Sequence, residues 1–435
     1  MEWYIVLSIL VISLTLLLLL GLPVAFSLGF LSIICSFIFW PDMSGAYGVA
    51  LAGYAHMNNF TLVCVPLFIL MAELVMATRM GTETYDVADR FFHRLPGGIG
   101  MASTVFGAIF GAICGASTAG TATVGLVSLP EMLDRNYDRG LAGAIVAFAG
   151  ALSILIPPSV ILILYGTLSQ QSIGALFAGG IVPGIVMTLL AVIYIGIRVS
   201  LNPEIAPRDD IQYTWAEKFK SMYKVWSLLL VVVLLLGTIY TGVATPTEAS
   251  AVSALAVFII AIIRRKMSFK VLRDALLHTV RTTAMIGWII VGATSFGYVV
   301  IYSGCAAQLT SWIVSLSLPT WCVVGMLMFG YLIMGMFIDP AAIVMMTTPL
   351  ILPLLKALNI DLLWFGVLMT INMCAGNISP PMGLNIYIVK GLDDRMDLKE
   401  LFLAAIPFLL IDVITIVLCM IFPEIITYVP KALGY

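Results

Sequence analysis

Residues 140–197 contain no Asp, Glu, Lys or Arg, and further uncharged runs cover 3–41, 95–130, 225–247, 282–338 and 362–389. A helix spanning the hydrocarbon core needs roughly 20 apolar residues. Several of these runs are long enough for two. The chain is 61% hydrophobic and 10% charged, so a water-soluble fold would leave too much apolar surface exposed. Its solvent is therefore lipid. A formal net charge of −2, from 21 basic and 23 acidic residues, excludes a basic nucleic-acid footprint. The three His and seven Cys show no CxxC and no metal-ligand spacing, so no transition-metal site is expected. The Cys residues are expected to pack, with a Cys305–Cys322 disulfide as the alternative. The run 3–41 is too long for a cleavable signal peptide.

Breaks at Gly21-Leu22-Pro23 and Ser169-Gln170-Gln171-Ser172 divide the two longest early runs, and the whole chain predicts about ten crossings. The run 95–130 fits neither one helix nor two comfortably. Its middle reads Gly115-Ala116-Ser117-Thr118-Ala119-Gly120-Thr121, and charged loops flank both ends. A re-entrant hairpin is expected: two half-helices that enter and leave on one side. Non-helical backbone at that depth is tolerated only where it lines a buried site. Two ordinary helices with a small-residue packing seam are the alternative.

Shifted by 223 residues, the sequence matches itself without a gap. Pro23 meets Pro246, Leu95-Pro96 meets Leu318-Pro319, and Phe106-Gly107 meets Phe329-Gly330. Pro130, Asn136, Asp138 and Gly143 meet Pro353, Asn359, Asp361 and Gly366, and Pro157-Pro158 meets Pro380-Pro381. With one inserted residue, Pro183 meets Pro407. The repeat covers about 20–185 and 243–408 and makes 320–356 a second hairpin. Loops 79–94, 131–139, 198–224 and 264–281 are basic, whereas 41–59, 240–247 and 304–320 contain no Lys or Arg. The positive-inside rule puts the first group in the cytoplasm and the N-terminus outside. Each repeat then has five crossings and one re-entrant hairpin, and the odd number of crossings inverts the second copy. The fold class expected is an all-α polytopic membrane protein. Inverted repeats with helices broken at the midplane are a transporter signature.

A Pro-Pro pair inside a crossing removes two N–H donors and frees carbonyls one turn earlier. Freed carbonyls and nearby hydroxyls suit Na⁺, a hard cation. Half-helix N-termini at the hairpin tips favour a carboxylate. For one Na⁺, the first tip and first break offer Gly115, Ser117, Thr118, Thr121, Ser153 and Ile156. For another, the second tip and break offer Asp339, Ala341, Gly376, Asn377 and Ser379. The candidates for an anionic substrate between the tips are Ser117, Thr118, Ser159, Asn377, Ser379 and Asn385. The alternative is that the prolines only kink helices and the hydroxyls bond local backbone.

Intramembrane acids are functional by default, so each needs weighing. Glu248 completes a capping box in Thr245-Pro246-Thr247-Glu248. Asp339 before Pro340 reads as an N-cap, a cation ligand, or both. Glu73 is expected to pair with Arg79 or snorkel. Asp412 faces either a partner or the bundle. No nucleotide-binding loop, acid–base dyad or metal cluster is present, so no enzymatic activity and no cofactor beyond a coupling ion are expected.

These residues resemble the large membrane subunit of tripartite ATP-independent periplasmic (TRAP) transporters. The resemblance rests on Pro66-Leu67-Phe68-Ile69-Leu70, the Gly115–Thr121 tip, Ile156-Pro157-Pro158-Ser159 and Ser172-Ile173-Gly174-Ala175-Leu176-Phe177. Ala244-Thr245-Pro246-Thr247-Glu248-Ala249, the segment from Asp361 to Gly366, and Ser379-Pro380-Pro381-Met382-Gly383-Leu384-Asn385 complete it. It implies a Na⁺-coupled importer of organic anions, such as C4-dicarboxylates or sialic acids, in the bacterial inner membrane. It also implies a periplasmic substrate-binding protein, a separate small four-helix membrane subunit, and an elevator-type fold and motion. Thr121 and Thr123 make this tip richer in hydroxyls than the Ala-rich run associated with the family. On this reading 1–78 holds scaffold helices and an arm (44–58), 79–200 the first transport region, and 201–224 a cytoplasmic arm. Residues 225–303 hold the second scaffold with an arm at 264–281, 304–424 the second transport region, and 425–435 a periplasmic tail.

Overall fold

The computed structural model describes residues 3–40, 42–78, 80–207 and 213–435. Every regular element among them is helical. Seven helices have 18 residues or more and are apolar enough to cross a membrane, and a further set of shorter apolar helices accompanies them.

Both runs expected to be hairpins are interrupted. Gly98–Cys114 and Ser117–Asp134 are separated by Gly115 in the left-handed region (φ +65°) and by extended Ala116. Glycine supplies this turn because a Cβ at positive φ is strained. The second hairpin consists of Thr320–Gly335 and Pro340–Ala357, and the Asp339 carboxylate caps the latter by accepting the Ala341 N–H at 2.9 Å. Each arm has 16 to 18 residues, about 25 Å at 1.5 Å per residue. That is longer than half of a bilayer core of about 30 Å, so these are not minimal half-helices.

The Pro-Pro segments break helices at equivalent places. Arg139–Ala151 tightens into a 3₁₀ turn at Leu152–Ile154, and helix resumes at Val160–Ser169. Leu362–Ile378 stops before Pro380 and resumes at Leu384–Leu392. The register of 223 extends to backbone detail. Asn136 and Asn359 both adopt positive φ (58° and 52°), and both Pro-Pro bonds are cis. Asp138 and Asp361 both cap the helix that follows them.

One difference between the halves stands out. In the first, Ser44–Met57 and Cys64–Ala77 are separate helices. In the second, the matching stretch is one 34-residue helix, Phe269–Tyr302. The expected arm at 264–281 is therefore mostly the first turns of a long helix. No Asn-Asn pair like Asn58-Asn59 interrupts it. At the other expected arm, helix Ile173–Leu201 runs past residue 198, and Trp215–Met222 forms a short capped helix.

The basic loops gather at one end of the molecule. Glu83 pairs with Arg264 and, at 2.8 Å, with Lys266. Asp86 lies 3.5 Å from Lys224, and the Asp138 N–H donates to the Ile205 carbonyl at 2.7 Å. The Tyr435 hydroxyl donates to the Ile239 carbonyl at the C-terminal end of helix Trp226–Tyr240. The Trp3 and Trp312 rings also meet, with centroids 5.9 Å apart. Thr245 and Glu248 form the expected capping box. All seven cysteines are free, so Cys305 and Cys322 are not bridged.

Candidate functional site

Glycines press each hairpin onto its own broken helix. A Cβ on Gly111 would lie 2.9 Å from the Ser153 Cα, and one on Gly376 would lie 2.7 Å from the Gly335 Cα. Such backbone-to-backbone packing needs glycine. It carries both tips and both breaks to one cavity of about 80 Å³. Gly115, Ser117 and Thr118 enter from the first tip, Asp339 and Ala341 from the second, and Asn377 from the second break. Ile154 and Val160 flank the first break, while Ile69, Thr282, Met285 and Ile286 complete the lining.

The polar atoms here fall into two groups. Some are satisfied within the protein. The Ser117 hydroxyl donates to Asn385 Oδ1 at 2.9 Å, and Asn385 Nδ2 donates to the Ala147 carbonyl at 2.9 Å. This relay ties the first tip to the second repeat. The Ser159 hydroxyl donates to the Ile154 carbonyl, and Ser379 to Ala375 at 2.7 Å. Both therefore close on carbonyls of their own helices. The others are buried without a partner among the described residues: the Thr121 and Ser153 hydroxyls and both amide atoms of Asn377. An orphaned buried polar atom costs roughly 1–3 kcal/mol, and the protein's own groups leave these four atoms unpaired.

Thr121 and Ser153 adjoin each other behind the first tip. A Cβ on Gly150 would strike Thr121 Oγ1, and one on Gly120 would strike Ser153 Oγ. Of the other candidates, Ile156 packs toward Gly184 and Gly376 against Gly335. The Gly115 carbonyl accepts the Val160 N–H at 3.2 Å. The two breaks differ in exposure, since Pro157 and Pro158 are buried whereas Pro380, Pro381 and Met382 are exposed.

Sequence reasoning did not find Ile69 or the Thr282–Ile286 wall. The Thr282-Thr283 pair opening an apolar run was the only available signal. Glu73 is half-buried within electrostatic reach of His278, one turn from Thr282, while its expected partner Arg79 lies outside the described residues. Asp412 faces the bundle: it is fully buried beside Cys374, with neither oxygen partnered among the described residues.

Residues 11–425 match the family described as "Tripartite ATP-independent periplasmic transporter, DctM component". The chain belongs to this family. As a DctM component it is the large permease of a TRAP-type secondary transporter, a multi-pass protein of the bacterial inner membrane. It is 31% identical over 411 residues to the C4-dicarboxylate TRAP transporter large permease DctM of Pseudomonas aeruginosa, covering 94% of each chain. It is 29% identical to the sialic acid TRAP transporter large permease SiaM of Vibrio cholerae, over 95% of this chain and 96% of that one. The isethionate TRAP permease DctMQ of Oleidesulfovibrio alaskensis is 30% identical over 86% of this DctM chain, which spans 58% of that longer protein. The fold is similar to the crystal structure of the Alcanivorax borkumensis YdaH transporter, with a TM-score of 0.64, 14% identity, and 87% and 88% of the two chains covered.

Proposed function

We propose that this permease imports an organic carboxylate coupled to Na⁺, at the cavity where the two hairpin tips and the two helix breaks meet. The observation that carries the reading is a set of buried, unpartnered oxygens: Asn377 Oδ1 at the cavity, and Thr121 Oγ1 and Ser153 Oγ behind the first tip. Oxygen-only sets of this kind suit a hard monovalent cation. Thr121 and Ser153, with Gly115, Ser117, Thr118 and Ile156 nearby, would hold one Na⁺. Asn377 and Asp339, with Ala341, Gly376 and Ser379, would hold another. The substrate carboxylate would take Ser117, Thr118 and the Asn377 amide N–H groups, with Ser159, Ser379 and Asn385 supporting it. Bound Na⁺ would supply the positive charge that lets a carboxylate enter a region lacking Lys or Arg.

The 80 Å³ cavity has room for only a few waters, so a dicarboxylate needs the wall of Ile69, Thr282, Met285 and Ile286 to separate from the tips. That separation is the expected elevator movement. The relatives' substrates make C4-dicarboxylates and sialic acids the first candidates. A periplasmic binding protein would deliver them, and a small four-helix subunit would complete the membrane complex.

Uptake into proteoliposomes tests this, using the complex, its binding protein and a panel of labelled organic anions. Saturable uptake that needs an inward Na⁺ gradient is expected. Uptake driven by a pH gradient alone would replace the reading with proton coupling, for which only Asp339 is placed. Non-saturating flux would replace it with a passive pore.

A further inference from the structure

A second cavity, of about 360 Å³, runs between the first helix and the second hairpin. Leu7, Leu10 and Leu14 of helix Trp3–Leu19 form one wall, and Gly330, Tyr331 and Met334 of the second hairpin form the other. The hydroxyls that reach it are already engaged. Thr15 donates to the Val11 carbonyl, Thr310 to Ala306, and Tyr331 and Thr347 bond each other at 2.7 Å. No polar occupant would find a free partner there, so the occupant must be apolar.

Its shape narrows the choice. The cavity follows the first helix from Leu7 to Leu18, about 17 Å of rise. One leaflet of hydrocarbon is about 15 Å thick. Its outer end lies one turn from the Trp3–Trp312 ring pair, and Trp favours the headgroup depth. Its inner end reaches Ile338, next to the Asp339 tip. A transmembrane helix, about 10 Å across, cannot enter a space of 360 Å³. An extended hydrocarbon chain of on the order of ten carbons fits it at interior packing density.

We propose that this groove holds one acyl chain of a membrane phospholipid, with its headgroup at Trp3 and Trp312 and its methyl end beside Ile338. The chain fills the seam between the first helix and the second hairpin. The proposal is independent of which ion or substrate is transported.

Phospholipid carrying a diazirine at the acyl terminus, reconstituted with the full complex and cross-linked by light, tests it. Mass spectrometry should find label on Thr320–Gly335 and the inner half of Trp3–Leu19 several-fold above that on the lipid-facing side of Ile173–Leu201, where Ile185, Leu189 and Ile193 are exposed. A Cβ added at Gly330, which lines the groove, meets nothing within 4 Å, so Gly330→Phe should place its ring in the groove. It should cut groove labelling several-fold and leave Ile173–Leu201 labelling unchanged. Even labelling of all lipid-facing helices in the wild type would overturn the proposal, whether or not the variant folds. Undiminished groove labelling in folded Gly330→Phe would do the same.

Discussion

The Cys374 thiol donates to the carbonyl of Ala151 at 3.3 Å, and these two residues occupy the same position of the two repeats, 223 apart. Equivalent positions of the two sequence repeats therefore meet where helices Arg139–Ala151 and Leu362–Ile378 pack, immediately before the two Pro-Pro breaks.

The contact between Gly335 and Gly376 leaves no space for a side chain. Gly376→Ala should cost about 1–3 kcal/mol through overpacking and lower the unfolding temperature in detergent. Gly325→Ala, where the added carbon meets nothing within 4 Å, should stay within about 1 kcal/mol of wild type. Equal melting temperatures for both variants would mean that the hairpin is not seated on its helix as described.

Asn377 and Ser117 should respond differently to removal. Asn377→Ala deletes an amide that makes no hydrogen bond among the described residues. Relief of the unpaired amide and the cavity left by its removal oppose each other, so stability should change by no more than about 2 kcal/mol, while Na⁺-dependent uptake falls at least tenfold. Ser117→Ala strands Asn385 Oδ1, so it should cost about 1–3 kcal/mol as well as uptake. Parallel melting and uptake measurements separate the two, and wild-type uptake in both variants would remove the site assignment.

Glu83, on helix Met80–Phe92, joins that helix to the basic segment through Arg264 and Lys266. Partial burial raises its pKa, but hydrogen bonds from Lys266 and Arg264 outweigh this and hold the carboxyl below its ordinary value. A lowered native pKa stabilises the fold above the unfolded value and loses that contribution as pH falls through the native one. Glu83→Gln should therefore cost about 1 kcal/mol at pH 7. The gap from wild type should narrow as pH falls below the ordinary glutamate value of about 4.3, as read by unfolding between pH 7 and 3.5. A gap that does not change with pH would mean that the carboxylate charge is immaterial.

Topology can be read chemically. With Cys322→Ser as background, Asp134→Cys should be labelled by an impermeant maleimide only from the cytoplasmic side, and Lys356→Cys only from the periplasmic side. Both positions are exposed. Labelling of both from one face would refute inversion of the second repeat.

Much of this architecture was legible because it is written in local chemistry. The uncharged runs, the Gly115 turn and the carboxylates of Asp138, Asp361 and Asp339 all act within a few residues of themselves. The 223-residue register compares one local signal with another. What could not be read depends on distant packing. Ser159 and Ser379 close on their own helices because the nearest freed carbonyl lies within five residues, and sequence does not reveal whether a hydroxyl will prefer it to an ion. Thr282, Met285 and Ile286 reach the cavity from a helix far away in sequence. The different exposure of the two Pro-Pro pairs is invisible in two nearly matching motifs.

The glycine contact between Gly335 and Gly376 has a mechanical corollary. With no side chain between them, the second hairpin has no lubricating layer on which to slide or swing. Swinging the hairpin alone would break this backbone contact. The elevator movement proposed above would carry hairpin and broken helix together, as a single block.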